Sequence, residues 1–290
     1  MAIPYNKLTS KDKQNIIDTF YKEKDKSFKD MSNLCNVSER AFSRVLKEKG
    51  VNTRRKNRYT LNDNYFETID TEHKAYWLGF LYADGYVGDS NYNYIAIQLK
   101  AEDEYILEAF KKDINYTGKI EDIVYTSGYK IGAKGCRINF SSPKMASDLR
   151  NLGLFPGKSK EMKCFPNIPE ELKRHFMRGY FDGDGSIHST SYENHNKRTG
   201  RIGKIITKYV VQIIGTIDFM NEYKNTMPNV TLHFNKCKSE NMIYLCYCST
   251  SLSMLKIIYD FYYKDSTVYL LRKKERFDKM LEQLKSGEPD

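Results

Sequence analysis

Two short stretches hold the residue types best suited to chemistry. Residues 176–187 read FMRGYFDGDGSI, where Asp182 and Asp184 alternate with Gly183 and Gly185 after an apolar, aromatic run. One hundred residues earlier, 76–87 read YWLGFLYADGYV, and Gly79, Asp84 and Gly85 recur as Gly179, Asp184 and Gly185. Carboxylates set among glycines can form a calcium loop, a plain turn or a catalytic metal centre. A calcium loop needs oxygen ligands at its first, third and fifth positions, glycine at the sixth and glutamate at the twelfth. With Asp182 and Asp184 third and fifth, Gly185 falls sixth, but Tyr180 and Ser191 occupy the first and twelfth. The earlier copy puts Phe80, Tyr82 and Asn91 in ligand positions, so this register fails.

The run before each Asp-Gly corner separates these copies from ordinary turns. Gly79 and Ala83, like Gly179 and Gly183, lie four apart on one helical face. Small residues at that spacing let two helix backbones approach closely. If the two helices pack together, Asp84 and Asp184 emerge side by side at their C-terminal ends. Those ends carry partial negative charge, and each carboxylate repels the other. Divalent cations would resolve the conflict, and hard oxygen donors without a histidine cluster favour magnesium over zinc.

Around each copy the order of elements repeats. A helix ends in the Asp-Gly corner, and strands follow at 92–100 and 208–215. Helices come next at 103–113 and about 217–226, then two more strands and a closing helix. A weaker similarity links 136–153 (CRINFSSPKMASDLRNLG) to 242–261 (MIYLCYCSTSLSMLKIIYDF). In the strand at 92–100, Ile95, Ile97 and Leu99 alternate with Tyr94, Ala96, Gln98 and Lys100, giving one packing face and one polar face. The expected fold is α+β, with two αββαββα units about a pseudo-two-fold and antiparallel sheets whose polar faces meet a duplex.

The net charge is +10, and residues 1–60 hold 15 Lys/Arg against 7 Asp/Glu, a net of +8. Such a concentrated basic segment suits a polyanion, since neutralised phosphates release counterions. Residues 10–23 predict a helix with Ile16, Ile17, Phe20 and Tyr21 on one face and Ser10 as its cap. A second helix runs through 27–34 with Phe28, Met31 and Leu34 as a stripe, and Cys35-Asn36-Val37 turns the chain. Ser38 caps a third helix, stopped by Gly50, that turns Ala41, Phe42, Val45 and Leu46 inward and Arg40, Ser43, Arg44 and Lys47 outward. This is the layout of a helix-turn-helix, whose second helix enters the major groove. Arg54, Arg55, Lys56 and Arg58 follow as a basic tether for phosphates or a minor groove. The bland alternative is a three-helix module for protein contacts. The expected domains are a helix-turn-helix at 1–52, a basic linker at 53–68 and repeats at 69–165 and 166–290.

YWLGFLYADGYV and FMRGYFDGDGSI resemble the paired signature motifs of single-chain LAGLIDADG homing endonucleases, over roughly residues 65–283. The N-terminal unit resembles the accessory DNA-binding segment that some members carry, and no protein-splicing segments flank the repeat. The resemblance implies a metal-dependent, staggered double-strand cut at a long site, leaving 3′ overhangs. It implies Asp84 and Asp184 as metal ligands with Gly85 and Gly185 beside them, and two or three magnesium ions shared between two active sites. The first copy has Tyr82 where the second has Asp182, which makes Asp182 a structural or helix-end residue. The family also places a lysine near each site. Lys158, Lys160 and Lys163 are available in the first repeat, and Lys158 in its Gly-Lys-Ser corner is preferred. In the second repeat Arg272 and Lys273 are available, and Lys273 is taken. Gln98 and Gln212, on matching strands, would add a polar group near the metal or contact a base. Lys100 and Lys208 would meet DNA from the polar strand faces.

Double-stranded DNA is the expected partner, bound by a monomer that needs no protein partner. The competing reading is a non-catalytic DNA- or RNA-binding protein of the same fold, a transcriptional regulator or intron maturase. It is disfavoured because both catalytic acids are present. A histidine-metal nuclease, prompted by His188 and Glu193-Asn194-His195-Asn196, lacks the surrounding pattern. No apolar run approaches the length of a bilayer span and no signal peptide opens the chain, so the cytoplasm is the expected location. The six cysteines form no CxxC pair and read as reduced thiols.

Overall fold

The computed structural model describes residues 2–23, 26–51, 53, 59–126, 131–158, 161–195, 202–249 and 251–286. The chain forms two compact units, Met1–Arg58 and Tyr59–Asp290.

The first unit holds α1 (Ser10–Lys22), α2 (Phe28–Leu34) and α3 (Glu39–Glu48). The cap of α1 is Thr9, not Ser10. The Thr9 hydroxyl accepts from the Asp12 amide at 3.2 Å, and the Asp12 carboxylate accepts from the Thr9 amide at 2.8 Å. This capping box satisfies two otherwise orphaned donors, and Ser27 with Asp30 repeats it on α2. Asn36 takes a left-handed φ of 53° between α2 and α3, a conformation asparagine tolerates. Ile16, Met31, Val37, Phe42, Val45 and Leu46 form the core. Leu34 and Tyr21 lie outside it, at 57% and 56% exposed. Cys35 and Val37, the two ends of the turn, are buried in this core instead.

In the second unit each repeat runs helix, two strands, helix, two strands, helix. The first comprises α4 (Glu72–Asp84), β1 (Gly85–Val87), β2 (Tyr94–Lys100), α5 (Glu104–Asp113), β3 (Glu121–Val124), β4 (Lys134–Ser141) and α6 (Pro143–Asn151). The second comprises α7 (Lys173–Asp184), β5 (Gly185–His195), β6 (Ile202–Thr216), α8 (Ile217–Thr226), β7 (His233–Lys236), β8 (Met242–Ser249) and α9 (Leu252–Tyr263). An additional α-helix, α10 (Leu271–Ser286), follows the second, with no α-helical counterpart among the described residues after α6 in the first. The two antiparallel sheets have the matching orders β1-β2-β4-β3 and β5-β6-β8-β7. The weak similarity of 136–153 to 242–261 therefore marks a real equivalence, strand β4 with α6 and strand β8 with α9.

Ile95, Ile97 and Leu99 on β2, and Val211 and Ile213 on β6, face the core. The intervening residues, including Gln98, Lys100, Lys208 and Gln212, line the opposite face of each sheet. The polar stretch after the second motif, which holds His188 and Glu193, forms the 11-residue β5, paired along β6 with an irregularity at Glu193/His195. Residues 59–68, the C-terminal part of the expected linker, pack into the second unit. Tyr65 and Phe66 are buried there, and the Thr60 amide donates to the Thr117 hydroxyl at 2.8 Å.

Candidate active site

Helices α4 and α7 bury every residue from Ala75 to Tyr82 and from His175 to Asp182. A helix buried all round belongs at the centre of a fold, and these two pack on each other. Their contact is reciprocal. A Cβ added at Gly79 would lie 2.9 Å from the Tyr180 amide nitrogen and closer still to the Phe176 carbonyl oxygen. A Cβ at Gly179 would lie 2.8 Å from the Phe80 amide nitrogen and closer still to the Tyr76 carbonyl oxygen. The same pair of contacts, exchanged between copies, is the mark of a two-fold relation. At the C-terminal ends Gly183 faces Ala83, and a Cβ there would stand 3.2 Å from Asp84 Oδ2. The expected set of Gly79, Ala83, Gly179 and Gly183 is therefore the interface itself.

Both helices end at a glycine, Gly85 or Gly185, that leads straight into the first strand of its sheet. Asp84 and Asp184, the last helical residues, keep solvent-accessible surface while protein surrounds them on their other sides. That surrounding mass pushes both carboxyls above the ordinary range. Asp184 is raised to about 6, first by desolvation and then by the Asp84 carboxylate, while Lys273, Lys158 and the Tyr180 hydroxyl act against the shift. Asp84 is raised by desolvation, opposed by Lys273, Lys158 and Arg272.

The two lysines preferred from the sequence both reach these helix ends. Lys158 and Lys273 are only 7% and 6% exposed, which is rare for lysine without partners. Lys158 Nζ donates to the Gly85 carbonyl at 2.5 Å and the Ala83 carbonyl at 3.5 Å. Lys273 Nζ donates to the carbonyls of Phe181 at 2.7 Å and Gly183 at 3.0 Å. These bonds turn the negative ends of the helices toward cations, as the helix dipole favours. Burial lowers both ammonium groups, and Lys273 falls to about 8, with Asp182 holding it up. Lys163 is exposed, Lys160 lies outside the described residues, and Arg272 pairs with buried Asp103 at 2.9 Å.

The glutamines share a sheet face type but not a register. Gly85 pairs with Ile97 and Gly185 with Ile213, so Ala96, not Gln98, is the counterpart of Gln212. Gln212 lies opposite Ser186, two residues past Asp184, and its amide oxygen accepts from Cys246 Sγ at 3.5 Å. Gln98 lies opposite Arg137. A difference of two residues keeps both on the open face but places only Gln212 across from the residue that follows the Asp-Gly corner.

Asp182 is fully buried. Its carboxylate accepts from the hydroxyls of Tyr76 and Tyr263, each at 2.9 Å, and from the Leu270 amide at 2.7 Å. Nearby, Arg178 donates to the carbonyls of Val268 and Tyr262 and to Glu72 Oε1 at 2.7 Å. The sequence reading assigned no role to Arg178 or Glu72. The available signal was a break in the duplication, since the first copy has Leu78 where the second has Arg178.

Solved structures with this arrangement are known. No protein-family model matches the sequence, and no curated protein matches it. In structure, the meganuclease I-SmaMI bound to an uncleavable DNA with a TTGT central four aligns at TM-score 0.50 and 13% identity, covering 73% of this chain and 91% of that one. The I-SmaMI LAGLIDADG homing endonuclease bound to cleaved DNA aligns at TM-score 0.49 and 14% identity, over 76% and 91% of the two chains. This chain has the single-chain LAGLIDADG fold. Its LAGLIDADG helices are α4 and α7, and Asp84 and Asp184 close the two motifs.

The strain on the acids of the LAGLIDADG helices is measurable. Desolvation and the Asp84 carboxylate hold the folded Asp184 at about 6, above the ~4 of an ordinary aspartate. Between those values the folded chain holds a proton that the unfolded chain has lost, so this group's contribution to stability declines as pH rises through that window. Asp184→Asn is therefore expected to raise the thermal midpoint of metal-free protein at pH 7, with a smaller gain at pH 5. Melting curves of both proteins at the two pH values check this, and a lower midpoint for the variant at pH 7 would count against the assignment.

On α3, Arg40, Ser43, Arg44 and Lys47 are all exposed, and the Arg44 guanidinium stacks 4.0 Å from the Tyr5 ring centroid. Arg54, Arg55, Lys56 and Arg58 lie outside the described residues. Lys100 pairs with Glu102 at 3.0 Å, and Lys208 Nζ sits 5.1 Å from the Tyr192 ring centroid. No described helix is long and apolar enough to cross a membrane.

Proposed function

We propose that the protein is a site-specific, divalent-metal-dependent DNA endonuclease that cuts both strands of a long site by hydrolysis. The observation that carries this reading is the meeting of Asp84 and Asp184 at adjoining helix ends, with one buried lysine held beside each end. The donors suit magnesium. They are hard carboxylate oxygens, raised in pKa by desolvation and, at Asp184, by the other acid, at a place where a Cβ on Gly183 would crowd Asp84. Asp84 and Asp184 would hold the ions. Bound ions would supply an activated water and neutralise phosphate charge.

The chain's own residues do the rest. Lys273, at about 8, is mainly protonated at pH 7 and presents a desolvated positive charge where the phosphate gains negative charge. Lys158 has the same role at the other helix end. A water adds to phosphorus and one P–O ester bond breaks, with no covalent protein–DNA intermediate. Gln212, opposite Ser186, would hold water or a phosphate oxygen near the second motif. The open faces of the two sheets, bearing Gln98, Lys100, Lys208 and Tyr192, would read the duplex. The α1–α3 unit would act as a helix-turn-helix, inserting α3 into a major groove through Arg40, Ser43, Arg44 and Lys47.

Incubating the full chain with a randomised DNA library and magnesium, then sequencing the cut ends, tests this reading. One defined long site with 3′ overhangs is the expected result. Specific retention of a sequence with no cut in it would move the protein to the non-catalytic DNA-binding class.

A further inference from the structure

The two copies hold their lysines differently. Both lysines bond to the carbonyl just before the last helical residue, Ala83 or Gly183. The second bond of Lys158 goes past the acid, to Gly85, whereas that of Lys273 goes back into the helix, to Phe181. The scaffolds also differ. Lys273 belongs to the first turns of α10, and its amide donates to the Leu270 carbonyl at 3.0 Å. The Leu270 amide in turn donates to Asp182, whose other oxygen is held by Tyr263, the last residue of α9. Asp182 thus ties together α7, the end of α9, the start of α10 and, through Tyr76, the opposite helix α4. Arg178 fastens the same connector through Val268 and Tyr262.

Among the described residues the first repeat has no counterpart of the Asp182 and Arg178 links. Tyr82 replaces Asp182 and its hydroxyl bonds to the Leu152 carbonyl, and Leu78 replaces Arg178. Between Leu152 and Lys158 the chain is not helical and includes Gly153 and Gly157, at φ of 94° and 81°. Lys158 stands at a short 3-10 turn, where its amide donates to the Phe155 carbonyl at 3.2 Å and its carbonyl accepts from the Glu161 and Met162 amides, each at 3.0 Å.

The geometry points to Asp182 as a positioning residue for Lys273 alone, so that the two half-sites are unequal and the cutting of one DNA strand depends on Asp182. This inference rests on the endonuclease reading. A displacement of about 1 Å at a reacting centre can cost on the order of 10²-fold in rate. Loss of the carboxylate would let the start of α10, and Lys273 with it, shift by that order.

The test is strand-resolved cleavage of the selected target, each strand labelled separately, with kcat and KM for each. Lys273→Met and Lys158→Met identify which strand each lysine serves. Asp182→Asn is expected to lower kcat about 10²-fold on the Lys273 strand only, leaving KM and the other strand unchanged. The double variant with Lys273→Met should be no slower than Lys273→Met alone. Tyr263→Phe, which removes one of three donors and keeps the ring, should give a smaller loss on the same strand if Asp182→Asn does not fold. Equal slowing of both strands, or slowing of the Lys158 strand, overturns the inference while leaving the endonuclease reading standing. Wild-type protein that cuts neither strand overturns both.

Discussion

Asp84→Asn and Asp184→Asn are each expected to abolish double-strand cleavage, by at least about 10³-fold, while DNA binding persists. The loss should exceed the range of about 10²–10³ seen when a single preorganised hydrogen-bond donor is removed, because the carboxylate supplies a full charge to the metal. Asparagine keeps the shape, so the helix ends and the Lys158 and Lys273 bonds to main-chain carbonyls are undisturbed. Binding is carried mainly by phosphate contacts from basic residues elsewhere. In the absence of metal the variants should bind at least as tightly as the wild type, because one repulsive charge has gone. Cleavage of the selected duplex in magnesium and retardation of the same duplex in chelator check both halves. Full cleavage by both variants would refute the site.

Gly179→Ala should be strongly destabilising. Alanine ordinarily stabilises a helix by about 1 kcal/mol relative to glycine. Here the new carbon would meet the Phe80 amide nitrogen at 2.8 Å, the Tyr76 carbonyl carbon at 2.9 Å and the carbonyl oxygen closer still. These are backbone atoms of a buried helix and cannot swing away as a side chain would. The helices must separate, and overpacking of this kind costs about 3 kcal/mol or more, which outweighs the helical gain. Separation also moves Asp84 and Asp184 apart, so cleavage should fall even where the variant stays folded. Urea unfolding and the cleavage assay on the same preparation measure both effects. Gly79→Ala, which meets the reciprocal atoms, should behave alike, and an unchanged unfolding midpoint for either would show the helix contact to be misplaced.

Much of this architecture was legible before folding. The offset of one hundred residues between the motifs and the small residues four apart predicted a pair of packed helices. Alternation at Ile95, Ile97 and Leu99 set the buried face of β2, and the inward set on α3 matched its core. Local patterns of this kind survive because helix and strand periods are properties of the backbone. The length of β5 escaped because serine, threonine and histidine carry little hydrophobic signal, and pairing with β6 supplies its order. The unequal register of Gln98 and Gln212 escaped because register is set between strands, not within them.

The sequence by itself singled out the candidate residues: two acids that recur at one spacing and, through the family resemblance, a lysine late in each repeat. Only the tertiary structure decided how those residues are held. It placed Lys273 on the long helix α10, where Lys158 has a short 3-10 turn, and joined the connector before α10 to Asp182 and Arg178, 88 and 90 positions earlier. Such links join buried polar groups that must find partners once water is excluded. Partner choice depends on which segments meet in space. A duplicated motif predicts symmetry, and the places where the duplication fails, Asp182 and Arg178, are where the fold made the two halves different.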